Sequence, residues 1–332
     1  MKTNLKIIEK VKVPTGEIYI GEYEGGMVEF LSIADYGKER NVKADFLGLT
    51  NRINGVENGN PMPLSEKWVI TTSTQYGCSM KCSFCDVPKV GHGRNISTNG
   101  MVEQVLSAVK EHPEVKYTKR LNHHFARMGE PTFNPGVLKS ALILFGYFRA
   151  LGWNYHPVVS TMMPRTNINS YEFVKNWIDA KNSIFNGEAG LQLSINSTDE
   201  KQRKFLFGGE EDNMERIAKI MRSVTDNKPC KGRKITLNFA ITDKTIIDAK
   251  QLSVWFPPSI FMVKITPIHE TKEASINGLK TTRGYSEYSP YIDHEENLKQ
   301  VGFDVIVFVP SEEEDESRIT CGNAILSKGF KK

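Results

Sequence analysis

From Trp68 onward the chain alternates short β-branched runs with stretches of helical periodicity, and that alternation calls for repeated βα units around a parallel sheet. Strands are expected at 68–75, 121–127, 157–162, 190–196, 234–241 and 261–267. Helices are expected at 99–112, 136–151, 171–181, 212–226, 247–256 and 287–301; in the second, Val137, Leu138, Ala141, Leu142, Phe145 and Phe148 recur at helical spacing. Six such units are too few to close an eight-stranded barrel. The expected fold class is therefore α/β, a partial (β/α)6 barrel whose functional loops follow the C-terminal ends of the strands.

Residues 1–50 read differently, alternating apolar and polar positions around turns, as in Val11-Lys12-Val13-Pro14-Thr15-Gly16-Glu17-Ile18 and Met27-Val28-Glu29-Phe30-Leu31. They predict a small antiparallel sheet, followed over 51–65 by an Asn-, Gly- and Pro-rich linker. The expected organisation is a β-rich N-terminal domain with its linker over 1–65, the barrel over 66–302, and a C-terminal strand and tail over 303–332. With 332 residues, 39% of them hydrophobic, the chain can bury a sizeable core, yet no stretch approaches the ~20 apolar residues of a membrane span. The first residues, Met1-Lys2-Thr3-Asn4-Leu5-Lys6, lead into charge instead of an apolar run, so a cytoplasmic protein with no membrane partner is expected. A net charge of +4 does not choose between a polyanionic partner and a small molecule.

The loop after the first barrel strand holds Cys78, Cys82 and Cys85. In a reducing compartment, three thiols crowded into eight residues point to a metal before a disulfide. Zinc prefers two separated ligand pairs, and His92 would have to complete such a site. An iron–sulfur cluster takes thiolates as well, normally four, so a three-cysteine loop leaves one iron open for chemistry.

The spacing Cys-x3-Cys-x2-Cys, with Phe84 before the last cysteine, resembles the radical S-adenosylmethionine signature. That resemblance implies a [4Fe-4S] cluster on Cys78, Cys82 and Cys85, with S-adenosyl-L-methionine on the open iron, cleaved to a 5'-deoxyadenosyl radical after electron transfer from a reducing partner such as flavodoxin or ferredoxin. The lead-in Ser73-Thr74-Gln75-Tyr76-Gly77 narrows the likeness to the RlmN/Cfr-like RNA adenosine methyltransferases, with rRNA or tRNA as the implied partner. Met128-Gly129-Glu130-Pro131 resembles that family's Gly-Glu-Pro, which makes Gly129 and Glu130 cofactor contacts; Ser160, Ser194, Asn196 and His269 fall at the family's other cofactor-lining positions.

Arg318-Ile319-Thr320-Cys321-Gly322-Asn323 resembles the family's Ala-Cys-Gly-Gln segment, whose cysteine is methylated and then joins the adenine carbon through the methyl group, so Cys321 is the implied methyl carrier. Glu29 falls near the family's glutamate and is the implied general base. Two departures stand out. Thr71 occupies the position of the family's second catalytic cysteine, and a hydroxyl cannot release a thioether adduct by forming a disulfide; Cys230 is the remaining thiol that could substitute. No counterpart of the family's helical RNA-gripping domain is expected in these residues, leaving the basic runs Lys201-Gln202-Arg203-Lys204 and Lys231-Gly232-Arg233-Lys234 as candidate phosphate contacts, while Glu312–Glu316 is an acidic run close to Cys321. Two alternatives follow: a radical enzyme that modifies a peptide, tRNA or small metabolite, and a non-catalytic cluster- or zinc-containing RNA-binding module.

Overall fold

A computed structural model describes residues 4–35, 52–53, 56–57, 61–310, 316–319 and 324–329. Three antiparallel strands open the chain: β1 (Lys6–Val13), β2 (Gly16–Tyr23) and β3 (Gly26–Ala34). A ladder of two residue pairs, β4 (Arg52–Ile53) with β5 (Val56–Glu57), falls inside the expected linker. β6 (Trp68–Thr72) then starts the parallel part, and β3 pairs with it, Leu31 opposite Thr71 and Ile33 opposite Val69. The N-terminal hairpins thus continue the sheet across the boundary expected at residue 65.

A short hairpin of β7 (Gln75–Gly77) and β8 (His92–Asn95) brackets the cysteine loop. The βα units follow in order: α1 (Thr98–Lys110), β9 (Leu121–Phe125), α2 (Gly136–Ala150), β10 (Tyr155–Thr161), α3 (Ser170–Ser183) and β11 (Gly190–Ser194). α4 (Glu200–Leu206), α5 (Met214–Thr225), β12 (Ile235–Ile241), α6 (Ala249–Trp255), β13 (Phe261–Pro267), α7 (Lys272–Ile276), α8 (Ser289–Gln300) and β14 (Val305–Val307) complete the series. The ten-stranded sheet runs β1-β2-β3-β6-β9-β10-β11-β12-β13-β14, parallel from β6 on. β14 extends the six expected parallel strands by one.

The strands alternate in burial, unlike parallel strands covered by apolar layers on both faces. Trp68, Ile70, Leu121, Phe125, Val159, Leu191, Leu193, Leu237 and Val263 are buried with Val105, Leu144 and Ile217 of the helices, forming the main core. On the opposite face Asn122, His124, His156, Ser160, Gln192, Thr236, Asn238 and Lys264 are half-buried, so the inner face of the partial barrel is polar. Thr71 lies on that inner face, in register with His124. Among the described residues no helix is long and apolar enough to cross a membrane.

Two departures from expectation have local causes. The strand expected at 68–75 breaks at Ser73, whose N–H donates to Gln104 Oε1 at 2.9 Å, while the Thr74 N–H turns to the Met128 carbonyl at 2.7 Å. The basic run at 201–204 forms α4, which begins at an Asp199 cap on the Gln202 N–H; its Arg203 is fully buried and donates to the carbonyls of Ile195 at 2.7 Å and Asp212 at 3.0 Å.

Candidate active site

The loops after five parallel strands meet at the cysteine loop, which places it at the C-terminal end of the sheet. Beyond β6, the Thr74 N–H bonds Met128, the residue before Gly129 beyond β9. Beyond β10, the Met162 N–H donates to Glu130 Oε2 at 3.1 Å. Beyond β11, the Leu206 carbonyl accepts from the Ser83 N–H at 2.9 Å. Beyond β13, Thr271 Oγ1 donates to the Phe84 carbonyl at 2.8 Å and Asn277 Nδ2 to that of Ser83 at 2.9 Å. Asp86, next to Cys85, accepts from the Lys272 and Glu273 N–H groups, both at 3.0 Å, and so caps α7.

Cys78, Cys82 and Cys85 are half-buried; Met80, Met162, Leu206, Phe207 and Ile268 form an apolar collar on which Cys78 and Cys82 pack. Burial pushes the Cys78 thiol up to about 11, against backbone N–H groups that favour its thiolate. Among the described residues no three His, Cys, Asp or Glu side chains converge on a point where one metal ion would sit. His92 sits on β8 with its side chain exposed.

Gln75 organises the loop. Its Nε2 donates to the Gly93 carbonyl at 2.7 Å and Asn95 Oδ1 at 2.9 Å, while its Oε1 accepts from the Glu130 N–H at 3.0 Å. Gly129 adopts φ +99°, a conformation that favours glycine. The buried Glu130 carboxylate accepts from the Thr132 N–H at 3.1 Å and Thr132 Oγ1 at 2.8 Å through Oε1. Burial pushes this carboxyl above its ordinary range, and those hydrogen bonds pull it back.

Ser160 and Ser194 end β10 and β11 on the inner face; Ser160 Oγ accepts from Gln192 Nε2 at 3.2 Å. Ser194 lies in register with Asn238. Asn196 is buried with φ +60°, and its Oδ1 accepts from the Ala240 N–H at 2.9 Å, so its side chain serves the strand end. His269, beyond β13, places Nδ1 3.2 Å from the Tyr285 hydroxyl. The buried Asn238 Oδ1 and Thr266 Oγ1, near the same strand ends, have no hydrogen-bond partner, which a polar ligand on this face would supply.

Glu29 sits on β3, fully buried, and forms an ion pair with Arg127, a residue that the sequence reading passed over. The signal was there: a lone arginine between the strand Leu121–Phe125 and Gly-Glu-Pro. Cys321 lies outside the described residues, as does Glu312–Asp315 of the acidic run. On either side, Ile319, Ala324 and Ile325 are buried with Val87, Leu31 and Met128, in a cluster against which Cys78 and Cys85 pack.

Cys230 is at the other end of the sheet. It precedes β12, and the adjacent Lys231 carbonyl accepts from Lys181 Nζ, on the helix leading to β11. Lys234 of the second basic run is bound to Asp304 and the Pro258 carbonyl, each at 2.7 Å. Both basic runs therefore spend cations inside the fold.

No family model matches the chain. A crystal structure of a radical SAM methyltransferase from Sphaerobacter thermophilus superposes with a TM-score of 0.67 over 95% of this chain and 80% of that one, at 17% identity. The fold is that of this radical SAM methyltransferase structure. In sequence the chain is 29% identical over 182 residues to a probable dual-specificity RNA methyltransferase RlmN of Deinococcus deserti, covering 54% of this chain and 49% of that one. It is 39% identical over 79 residues to the RlmN of Campylobacter lari, covering 24% and 22%. The chain is thus similar in sequence to proteins named RlmN, and it spans about half the length, or less, of the curated relatives it matches.

Proposed function

We propose that the chain is a radical S-adenosylmethionine methyltransferase that methylates an RNA adenosine through Cys321. The observation that carries this reading is the convergence of the post-strand loops on Cys78, Cys82 and Cys85, with Glu130 and the unpartnered Asn238 and Thr266 oxygens at the same end. The three cysteines would hold a [4Fe-4S] cluster, and two molecules of S-adenosyl-L-methionine, used in turn, would supply the methyl group and a 5'-deoxyadenosyl radical. Glu130 offers a buried anionic acceptor for the cofactor's ammonium group, while Ser160, Ser194 and His269 line the inner face around it. The apolar collar of Met80, Met162 and Phe207 keeps water from the loop.

The RNA substrate is supported by the names of the relatives. We place the protein in the cytoplasm, where thiols stay reduced and a small donor such as flavodoxin or ferredoxin would supply electrons. The test is to incubate reconstituted protein anaerobically with reductant, S-adenosylmethionine carrying a labelled methyl group, and total RNA, then digest the RNA to nucleosides. Labelled methyladenosine is expected; 5'-deoxyadenosine without labelled nucleoside would overturn the RNA reading.

One observation favours a second reading. Thr71 faces inward beside His124, and Cys230 lies at the opposite end of the sheet, so neither supplies a second thiol beside the cluster loop. Release of an adduct by disulfide formation is then without its partner. A radical enzyme acting on a peptide, tRNA or small metabolite by another route fits that observation, and label appearing in a peptide, a small metabolite or a tRNA nucleoside other than adenosine would establish it.

A further inference from the structure

Arg127 and Glu29 touch the C-terminal segment on both sides of the four residues that include Cys321. Arg127 uses all three nitrogens of its guanidinium: Nε on Glu29 Oε1, Nη1 on the Ile319 carbonyl at 3.2 Å and Nη2 on the Arg318 carbonyl at 2.8 Å. Glu29 Oε2 accepts from the Ile325 N–H at 3.1 Å. One ion pair, with both side chains almost wholly buried, thus holds residues 318–319 with its cation and residue 325 with its anion. Arg127 directly precedes Met128 and Gly129, so the dock and the proposed cofactor contacts follow one another along the same stretch of chain.

We propose that Arg127 is a positioning residue, and that the Glu29–Arg127 pair docks the residues flanking Cys321, Arg318 and Ile319 on one side and Ile325 on the other. This rests on the reading of Cys321 as methyl carrier. It also gives Glu29 a task different from the general base that its place in the sequence suggests. Both of its oxygens already accept from a donor, one of them a guanidinium, and a carboxylate so held is a better anchor than a proton acceptor. The fork of Arg127 explains the choice of residue. A lysine, with a single nitrogen at the end of a flexible stem, cannot reach the same three acceptors in that fixed geometry. Further along, Arg318 approaches Asp86 at 3.9 Å, and Lys328 pairs with Glu9 at 3.2 Å.

The test is backbone hydrogen exchange of the full chain, read by peptide, in Arg127→Ala, Arg127→Lys and the double variant Glu29→Leu/Arg127→Met. The double variant removes both charges together and avoids leaving one buried alone. Exchange in peptides covering 316–329 is expected to speed up at least tenfold in all three, with the β9 and β12 peptides unchanged. The number of S-methyl groups on Cys321 per 5'-deoxyadenosine formed is expected to fall in each. Unchanged exchange in 316–329 in the double variant, or restoration by lysine, would overturn the dock. If the wild-type protein carries no methyl on Cys321 but the exchange result holds, the methyl-carrier reading fails and the dock stands.

Discussion

Gly129 lies so close to Gln75 that a Cβ on the glycine would sit 2.6 Å from Gln75 Cγ and 2.7 Å from Thr74 Oγ1. With φ at +99°, neither the backbone nor the space admits a side chain. Gly129→Ala is therefore expected to push Gln75 off the Gly93 carbonyl and the Glu130 N–H, costing about 1–3 kcal/mol in strain alone. Iron and sulfide per chain after anaerobic reconstitution should fall by more than half. Gly146→Ala, on α2 where an added Cβ meets nothing within 4 Å, is the control and should hold its iron. Equal iron in both variants would contradict the close fit.

Glu130 makes a different case, because its buried carboxylate faces N–H donors from both oxygens. Glu130→Gln turns an NH2 group toward one of those donors, and about 1–3 kcal/mol of stability should be lost. Because burial raises this carboxyl above its ordinary range, its charge weakens the fold as pH rises, and a bound cation offsets that. S-adenosylmethionine should raise the melting temperature of the wild type more than that of the variant. An equal rise in differential scanning fluorimetry would remove Glu130 from the cofactor site.

His123 sets an acid limit on the fold. It is buried between Thr72 Oγ1, 2.8 Å from Nε2, and the Tyr155 hydroxyl, 2.6 Å from Nδ1, and burial pulls it down to about 3. The folded form keeps this ring neutral while the unfolded chain protonates it below about pH 6.5. The contribution of this group should be level above that pH and fall as pH drops toward 3, by up to about 1.4 kcal/mol per pH unit. Denaturant unfolding at pH 7.5, 6 and 5 should show the slope, and His123→Gln should lower it by about one proton; an unchanged slope would contradict the neutral ring.

What could be read from the sequence was whatever a short stretch fixes by itself. Cys78, Cys82 and Cys85 announce their chemistry within eight residues, and the helix at 136–150 shows its buried stripe in its own periodicity. α4 and α7 escaped the periodicity because each is too short to display a repeat, although Asp199 and Thr271 mark their starts as capping residues. The pairing of Glu29 with Arg127 escaped because about a hundred residues separate them, and only the sheet order β3-β6-β9 brings them together. Arg203 and Lys234 read as exposed charge for the same reason: their carbonyl and carboxylate partners, Ile195, Asp212, Pro258 and Asp304, are supplied by other elements.

The most direct measurement is electron paramagnetic resonance of the anaerobically reconstituted, reduced protein with and without S-adenosylmethionine, paired with chromatography for 5'-deoxyadenosine. The expected result is a four-iron signal that changes on adding S-adenosylmethionine, with 5'-deoxyadenosine formed, both lost in the triple variant Cys78→Ala/Cys82→Ala/Cys85→Ala. A protein that assembles no four-iron signal, or one whose signal ignores S-adenosylmethionine and yields no 5'-deoxyadenosine, would contradict the assignment of this loop.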